Sequence, residues 1–288
     1  MTSTSTATTW LDPPLPAVRE VVARALAEDL GVFGDVTAGL VPEDATVAAR
    51  IVARAEGVLA GRLAATEAFA AVDPAATVRW EAADGDRVRP AQVLARVGGP
   101  LRSVLTAERT ALNLLGHLSG VATLTRRFVD AAGPAARIRD TRKTTPGLRA
   151  LEKAAVRAGG GVNHRASLSD GVLLKDNHLA GVTIADAVRL ARRRWPSVPC
   201  QVECDTLDQL RVALDAGADL VLLDNMDPAE VAAAVTIVDG RVPLEVSGGV
   251  TLDTVGAYAA AGADLISVGA LTHSAPVLDV GLDLDVEP

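Results

Sequence analysis

The segment DTRKTTPGLRALEKAAVRAGGGVNHR, residues 140–165, concentrates six arginines and lysines, a histidine and three consecutive glycines in a chain whose net charge is −8. Arginine offers carboxylate or phosphate a planar two-pronged fork, and lysine a compact point charge. Only three lysines occur among 28 basic residues, Lys143, Lys153 and Lys175, and they sit beside most of the asparagines and histidines. Where arginine serves almost everywhere else, the surviving lysines mark positions at which an ammonium differs in effect from a guanidinium. Arg142, Lys143, Arg165 and Lys175 are therefore candidates to converge on a small, multiply anionic ligand.

Two carboxylates stand at comparable places. Glu203 and Asp224 close the β-rich runs QVECD and LVLLDN. Carboxylates there could hold Mg²⁺, accept from sugar hydroxyls, or pair with neighbouring cations. The runs VSGG (Ser247, Gly248, Gly249) and SVGA (Gly269) each lead towards a helix. Glycine lets backbone N–H groups approach a phosphate, and a helix dipole favours the anion. His164, among polar neighbours, reads as a donor to an anion, whereas His178 and His273 stay open. Arg192–Arg194 read as a solvated helix face.

These residues need elements that aim them at one place. From about residue 136, short β-rich runs end in polar residues and are followed by helical stretches. The runs cover 136–143, 171–178, 198–205, 218–225, 242–249 and 263–270. Such alternation argues for a parallel α/β sheet, and many strand ends carrying chemistry argue for a (β/α) barrel. No G-x-G-x-x-G follows the first strand, so a dinucleotide-binding fold lacks its fingerprint. Six units fall short of the usual eight, so either the barrel is irregular or further strands escape this reading. Before residue 116 the texture changes. LPAVREVVARALAEDLG reads as an amphipathic helix ending at Gly31. Residues 46–61 and 77–99 read as strands with turns at Glu56-Gly57, Asp84-Gly85 and Gly98-Gly99. A long helix over 105–132 then crosses into the barrel. The expected domains are 1–116, joined by the tail 275–288, and 117–274.

Composition narrows the function classes. Aromatics make up 2% and the balance is acidic, which argues against general nucleic-acid binding. No apolar run approaches a membrane span, and MTSTSTATTW lacks signal-peptide features and reads as a disordered lead-in. Cys200 and Cys204 are too few and too close for a disulfide framework and read as buried thiols, which points by default to the cytoplasm. The stretch EAADGDRVRPAQVLARV has the look of a carrier-domain half-motif. No lysine stands there to take a prosthetic group, so it reads as turn-rich sheet.

Taken with LLKDNH, VECDT, LLDNM, LEVSGGV and SVGALTHS, the 140–165 segment resembles the quinolinate phosphoribosyltransferase family, the nicotinate-nucleotide pyrophosphorylases. EDLGVFGDVT and LTAERTALNLLGHLSGVAT resemble that family's N-terminal domain and linking helix. The likeness runs in order from about residue 15 to the C-terminus. It implies an N-terminal α/β sandwich, a C-terminal α/β barrel with fewer than eight strands, and a homodimer or higher assembly in which one subunit closes the other's barrel mouth. It also implies Mg²⁺ and a reaction of quinolinate with 5-phosphoribosyl-1-pyrophosphate that gives nicotinate mononucleotide, pyrophosphate and CO₂ in NAD biosynthesis. By position, Arg109 matches an arginine lent across the dimer. Thr141, Arg142, His164 and Arg165 match the quinolinate site, and Lys143 and Lys175 match lysines near the pyrophosphate and a substrate carboxylate. Glu203 and Asp224 match the acids on ribose hydroxyls and metal. Ser247, Gly248, Gly249 and Gly269 match the 5-phosphate site. The cysteine after Glu203 should face away from the ligand.

Competing readings are a phosphoribosyltransferase for a related pyridine or pyrimidine acid, a Schiff-base lyase using Lys175, and a ligand-binding scaffold. Three arginines favour a di-acid over a mono-acid, and acids at strand ends speak against a scaffold.

Overall fold

A computed structural model describes residues 11–285; the polar lead-in expected over residues 1–10 lies outside them. From the N-terminus the elements are α1 (Leu15–Leu30), β1 (Thr46–Ala53), β2 (Gly57–Val58), α2 (Arg62–Val72), β3 (Thr77–Trp80), β4 (Arg87–Val88) and β5 (Val93–Pro100). The long α3 (Leu101–Ala132) leads to β6 (Arg137–Arg139) and α4 (Arg149–Ala158). Strands and helices then alternate: β7 (Val172–Leu174), α5 (Ile184–Arg194), β8 (Cys200–Cys204), α6 (Leu207–Asp215), β9 (Leu220–Asp224) and α7 (Pro228–Val238). The last are β10 (Leu244–Ser247), α8 (Val255–Ala260), β11 (Leu265–Ser267), α9 (Ala270–His273) and β12 (Val280–Leu284). The chain divides into two compact units. One comprises the described residues of Met1–Arg126, with Thr144–Gly160 and Leu271–Pro288; the other is Arg127–Lys143 and Gly161–Ala270.

In the first unit an antiparallel sheet runs β12-β1-β5-β3. The face of α1 carrying Val18, Val21, Val22 and Leu26 is buried, the spacing of one apolar stripe, and the helix stops at Gly31 as its sequence requires. The sequence reading has no counterpart for α2, whose small alanines blur the apolar face that Phe69 anchors. The turn expected at Gly98-Gly99 is not a turn. Both glycines lie inside β5, paired with Ala48 and Val47, and the backbone of Ala76 comes close enough to Gly99 to leave no room for a side chain. Along α3, Gly116 and Gly120 form a smooth strip crossed by the C-terminal segment, where the Leu278 N–H donates to the Gly116 carbonyl at 3.0 Å.

The second unit holds six parallel strands in the order β6-β11-β10-β9-β8-β7, one in each of the six runs expected from sequence. It is an irregular α/β barrel with fewer than eight strands. The turns after β8 and β9 end in helix caps written in the sequence. Thr206 pairs reciprocally with Gln209 to start α6, and Asp227 with Glu230 to start α7. A single strand shows how residues are sorted. On β8, Cys200, Val202 and Cys204 are buried on one face, both thiols free, while Gln201 and Glu203 take the other. Gln201 there reaches Glu245 on β10, donating from Nε2 at 2.7 Å.

Candidate active site

The polar strand ends of the barrel unit fall into connected groups. Lys175, just past β7, forms an ion pair through Nζ with Glu203 on β8. Glu203 is in register with Leu222 on β9, which places Asp224 one pleat further along the same face. Burial raises the Asp224 pKa above the ordinary carboxylate value; Lys175 and Lys143 oppose that rise, and Asp205 and Asp176 add to it. Two ammonium groups and two candidate acids therefore share one electrostatic neighbourhood.

The second group grows from the end of β6. Asp140 is fully buried, and its carboxylate accepts from Asn163 Nδ2 at 2.6 Å and from the His164 backbone N–H at 2.7 Å. That clamp joins the turn carrying Thr141, Arg142 and Lys143 to the GGGVNHR segment, and the Lys143 N–H donates to Thr141 Oγ1 at 2.9 Å. Arg165 donates from Nη1 to the Gly171 carbonyl at 2.8 Å. Burial, and then the charge of Arg142, lower the Arg165 pKa from its ordinary value. The positive charge of Arg142 thus bears on Arg165, an effect that a multivalent anion between the two would offset. A cavity of about 410 Å³ adjoins Arg165, lined also by Arg139, Asn163, His164, Gly171 and Gln201 among others.

The glycine turn after β10 is tied to the acids by Asn225. Its N–H donates to the Ser247 carbonyl at 2.9 Å, and its Nδ2 donates to Asp224 Oδ2 at 2.7 Å. Asn225 takes φ +56°, a left-handed conformation that asparagine tolerates better than most residues. The helix towards which this run leads, α8, begins six residues on, at Val255. Any anion at Ser247–Gly249 would therefore meet backbone N–H groups with little help from a helix dipole. Gly269 precedes α9, which is only four residues long.

The remaining histidines have local partners. His178 Nδ1 accepts from the Lys175 backbone N–H at 3.2 Å and so braces that turn, while His273 Nδ1 lies 2.6 Å from Ser274 Oγ. Arg109 belongs to the first unit, on α3, with a side chain 65% exposed and 3.9 Å from Glu108. The sequence reading places Asp140 and Asn225 at polar strand ends without giving them a role, and it has no place for Arg139 or Glu245 in the site. A lone carboxylate within the apolar strand VPLEV was the available signal for Glu245.

Residues 35–119 match the family described as quinolinate phosphoribosyl transferase, N-terminal domain, and residues 121–283 match its C-terminal domain. The chain belongs to this family. Among relatives of the quinolinate phosphoribosyl transferase family, the nicotinate-nucleotide pyrophosphorylase [carboxylating] of Mycobacterium leprae is 47% identical over 95% of this chain and 99% of its own length. The probable nicotinate-nucleotide pyrophosphorylase [carboxylating] of Bacillus subtilis is 40% identical over 93% of each. In structure, the nicotinate-nucleotide pyrophosphorylase from Francisella tularensis superposes with a TM-score of 0.91 at 38% identity, covering 95% of this chain and 98% of that one.

Proposed function

We propose that this chain joins quinolinate to 5-phosphoribosyl-1-pyrophosphate, giving nicotinate mononucleotide, pyrophosphate and CO₂ for NAD biosynthesis. The observation that carries the reading is Arg165 at the cavity wall under the charge of Arg142, two guanidinium forks that suit the two adjacent carboxylates of a pyridine di-acid better than one. His164 lines the cavity beside Arg165, Thr141 would bind quinolinate from the turn that carries Arg142, and Arg109 would reach the site from a second copy. Lys143 and Lys175 would meet the pyrophosphate and a substrate carboxylate, with Ser247, Gly248, Gly249 and Gly269 around the 5-phosphate.

The chemistry asks more for positioning than for acid–base catalysis. The pyridine nitrogen forms a bond to ribose C1 as the C1–O bond to pyrophosphate breaks. Cationic character on the ribose is met by Glu203 and Asp224, and negative charge on the leaving oxygens by Lys143 and Lys175. The ribosylated nitrogen is then a cationic electron sink. The bond to the adjacent carboxylate breaks, CO₂ departs, and the electron pair left on the ring carbon takes a proton from solvent. Lys175 pairs with Glu203 as an ammonium, which fits anion binding and disfavours a Schiff base.

Among the described residues no three His, Cys, Asp or Glu side chains gather as a metal cage. Glu203 and Asp224 fit a Mg²⁺ held by one or two carboxylates together with substrate phosphates and water. Bound there, Mg²⁺ would neutralise charge on the leaving pyrophosphate. A homodimer is supported by the nearly full exposure of the adjacent Val32 (93%) and Phe33 (89%), apolar side chains that a lone subunit would leave in water. Among the described residues no helix is long and apolar enough to cross a membrane. The two free buried thiols suit a reducing cytoplasm.

The test is release of CO₂ and pyrophosphate from quinolinate and 5-phosphoribosyl-1-pyrophosphate, with and without Mg²⁺, against nicotinate as the control substrate. Turnover of nicotinate at the rate of quinolinate would sink the di-acid reading; full activity after chelation would sink the metal.

A further inference from the structure

Glu245 sits on β10 in the barrel interior with no solvent exposure. Its Oε2 accepts from Arg139 Nη1 and from Gln201 Nε2, each at 2.7 Å, and its Oε1 accepts from the Ser267 hydroxyl. His164 Nε2 also faces Oε1, at 3.6 Å. That separation is too long for a hydrogen bond, yet a proton on that nitrogen is attracted to the carboxylate. The opposite ring nitrogen, Nδ1, accepts the Arg165 backbone N–H at 2.7 Å. A neutral imidazole carries one ring proton, so an accepting Nδ1 leaves that proton on Nε2, towards Glu245.

The contacts form a chain. Arg139, Gln201 and Ser267 hold the Glu245 carboxylate in place. Its charge favours the Nε2–H form of His164. That form frees Nδ1 to accept from the Arg165 N–H, and so fixes the backbone from which the Arg165 guanidinium reaches the cavity wall and the Gly171 carbonyl.

We infer that Glu245 is a positioning residue for the anion-binding arginines, setting the tautomer of His164 and through it the placement of Arg165. Glu245 itself does not touch substrate, and His164 acts by accepting from the chain through Nδ1 rather than by donating to the ligand. The inference rests on the reading of Arg165 as a quinolinate-binding residue. It explains why a carboxylate is buried in a strand whose neighbours Leu244 and Val246 are apolar, where an unpartnered charge would be costly.

Two measurements on the full chain test it. First, the ring ¹⁵N resonances of His164, assigned by their loss in His164→Asn, should show the neutral Nε2–H tautomer. A proton on Nδ1 overturns the inference. Second, asparagine places its side-chain oxygen near Nδ1, whereas glutamine places a polar atom near Nε2. By calorimetry His164→Asn should bind quinolinate about tenfold tighter than His164→Gln, the size expected for a hydrogen bond that orients a charged group. A glutamine variant that binds as well as the asparagine variant, or better, overturns the inference.

Glu245→Gln should then weaken quinolinate binding about tenfold, and by more than it weakens the phosphoribosyl donor. Equal losses, or no loss for quinolinate, would overturn the role of Glu245. That variant leaves Arg139 buried without its carboxylate, so near-ultraviolet dichroism must first show that it folds. If it does not, the tautomer and the asparagine–glutamine pair still decide. Failure of the wild-type chain to bind quinolinate at all would instead sink the functional reading and leave the tautomer result standing.

Discussion

Asn225 occupies the space where a side chain on Gly248 would begin. A β-carbon on Gly248 would clash with Asn225 Oδ1 and lie 2.9 Å from the Asn225 backbone nitrogen, and Gly248 has φ +98°. The same asparagine holds Ser247 and Asp224, so the glycine turn and the acidic strand end are locked to each other. Gly248→Ala is therefore expected to push Asn225 away and to cost about 1–3 kcal/mol of stability through strain. Its kinetic signature should be a KM for the phosphoribosyl donor that rises more than the KM for quinolinate. A donor KM equal to wild type in a folded variant would show that the turn is not the phosphate seat.

The charge of Arg142 bears on Arg165, and the fork geometry of each is what a di-acid can use. Arg142→Lys keeps the charge and loses the fork. Quinolinate binding should weaken by at least about 1 kcal/mol, with little change in thermal stability, because that side chain is only partly buried. Calorimetric titration with quinolinate reads this directly, and wild-type affinity in the variant would remove Arg142 from the site.

Much of this arrangement was legible because strand ends announce themselves. A β-rich run that stops at Asp224-Asn225 or Glu203, followed by a cap such as Asp227 or Thr206, fixes both the strand and the direction of its last side chains. Other features depend on partners that local sequence does not name. The left-handed backbone of Asn225 leaves no mark in LLDNM. Glu245 looks like any strand residue until Arg139, more than a hundred positions earlier, is placed against it. Gly98 and Gly99 read as a turn because glycine pairs usually punctuate; here both lie in a strand and Gly99 admits the backbone of Ala76. The alanines of α2 are too small to show which face is buried.

Asp84 offers a test of stability that is independent of the site. It closes the turn after β3, where burial pushes its pKa up from 3.8 to about 6, while the Arg62 backbone N–H and the Arg62 charge oppose the rise. A carboxyl whose folded pKa is raised contributes stability that is present below the unfolded pKa and lost as pH rises through the folded one. For this group the loss falls between about pH 4 and pH 6 and amounts to at most about 3 kcal/mol. Asp84→Asn removes the titration while keeping an oxygen to accept from the backbone. Its Tm should exceed that of the wild type at pH 7 to 8, and the advantage should vanish near pH 4. An advantage that is the same at both pH values would assign the effect to something other than ionisation.

Gly120 carries the last prediction. It lies on α3 where the C-terminal segment passes so closely that a β-carbon would overlap the Pro276 carbonyl oxygen and sit 3.0 Å from its carbonyl carbon. Both partners are backbone, so no rotamer change can relieve the contact. Alanine normally favours a helix by about 1 kcal/mol over glycine, so a harmless site would be stabilised by Gly120→Ala. Here the overlap must lift the segment that leads into β12, and with it the pairing of Leu284 with Ala49 on β1. The expected net result is a loss of about 3 kcal/mol, the scale of an overpacked interior. Chemical denaturation should show it as a lower midpoint, and hydrogen exchange should show faster opening of residues 280–284 than of the barrel strands. A midpoint at or above that of the wild type would mean that the segment does not depend on the smooth strip along α3.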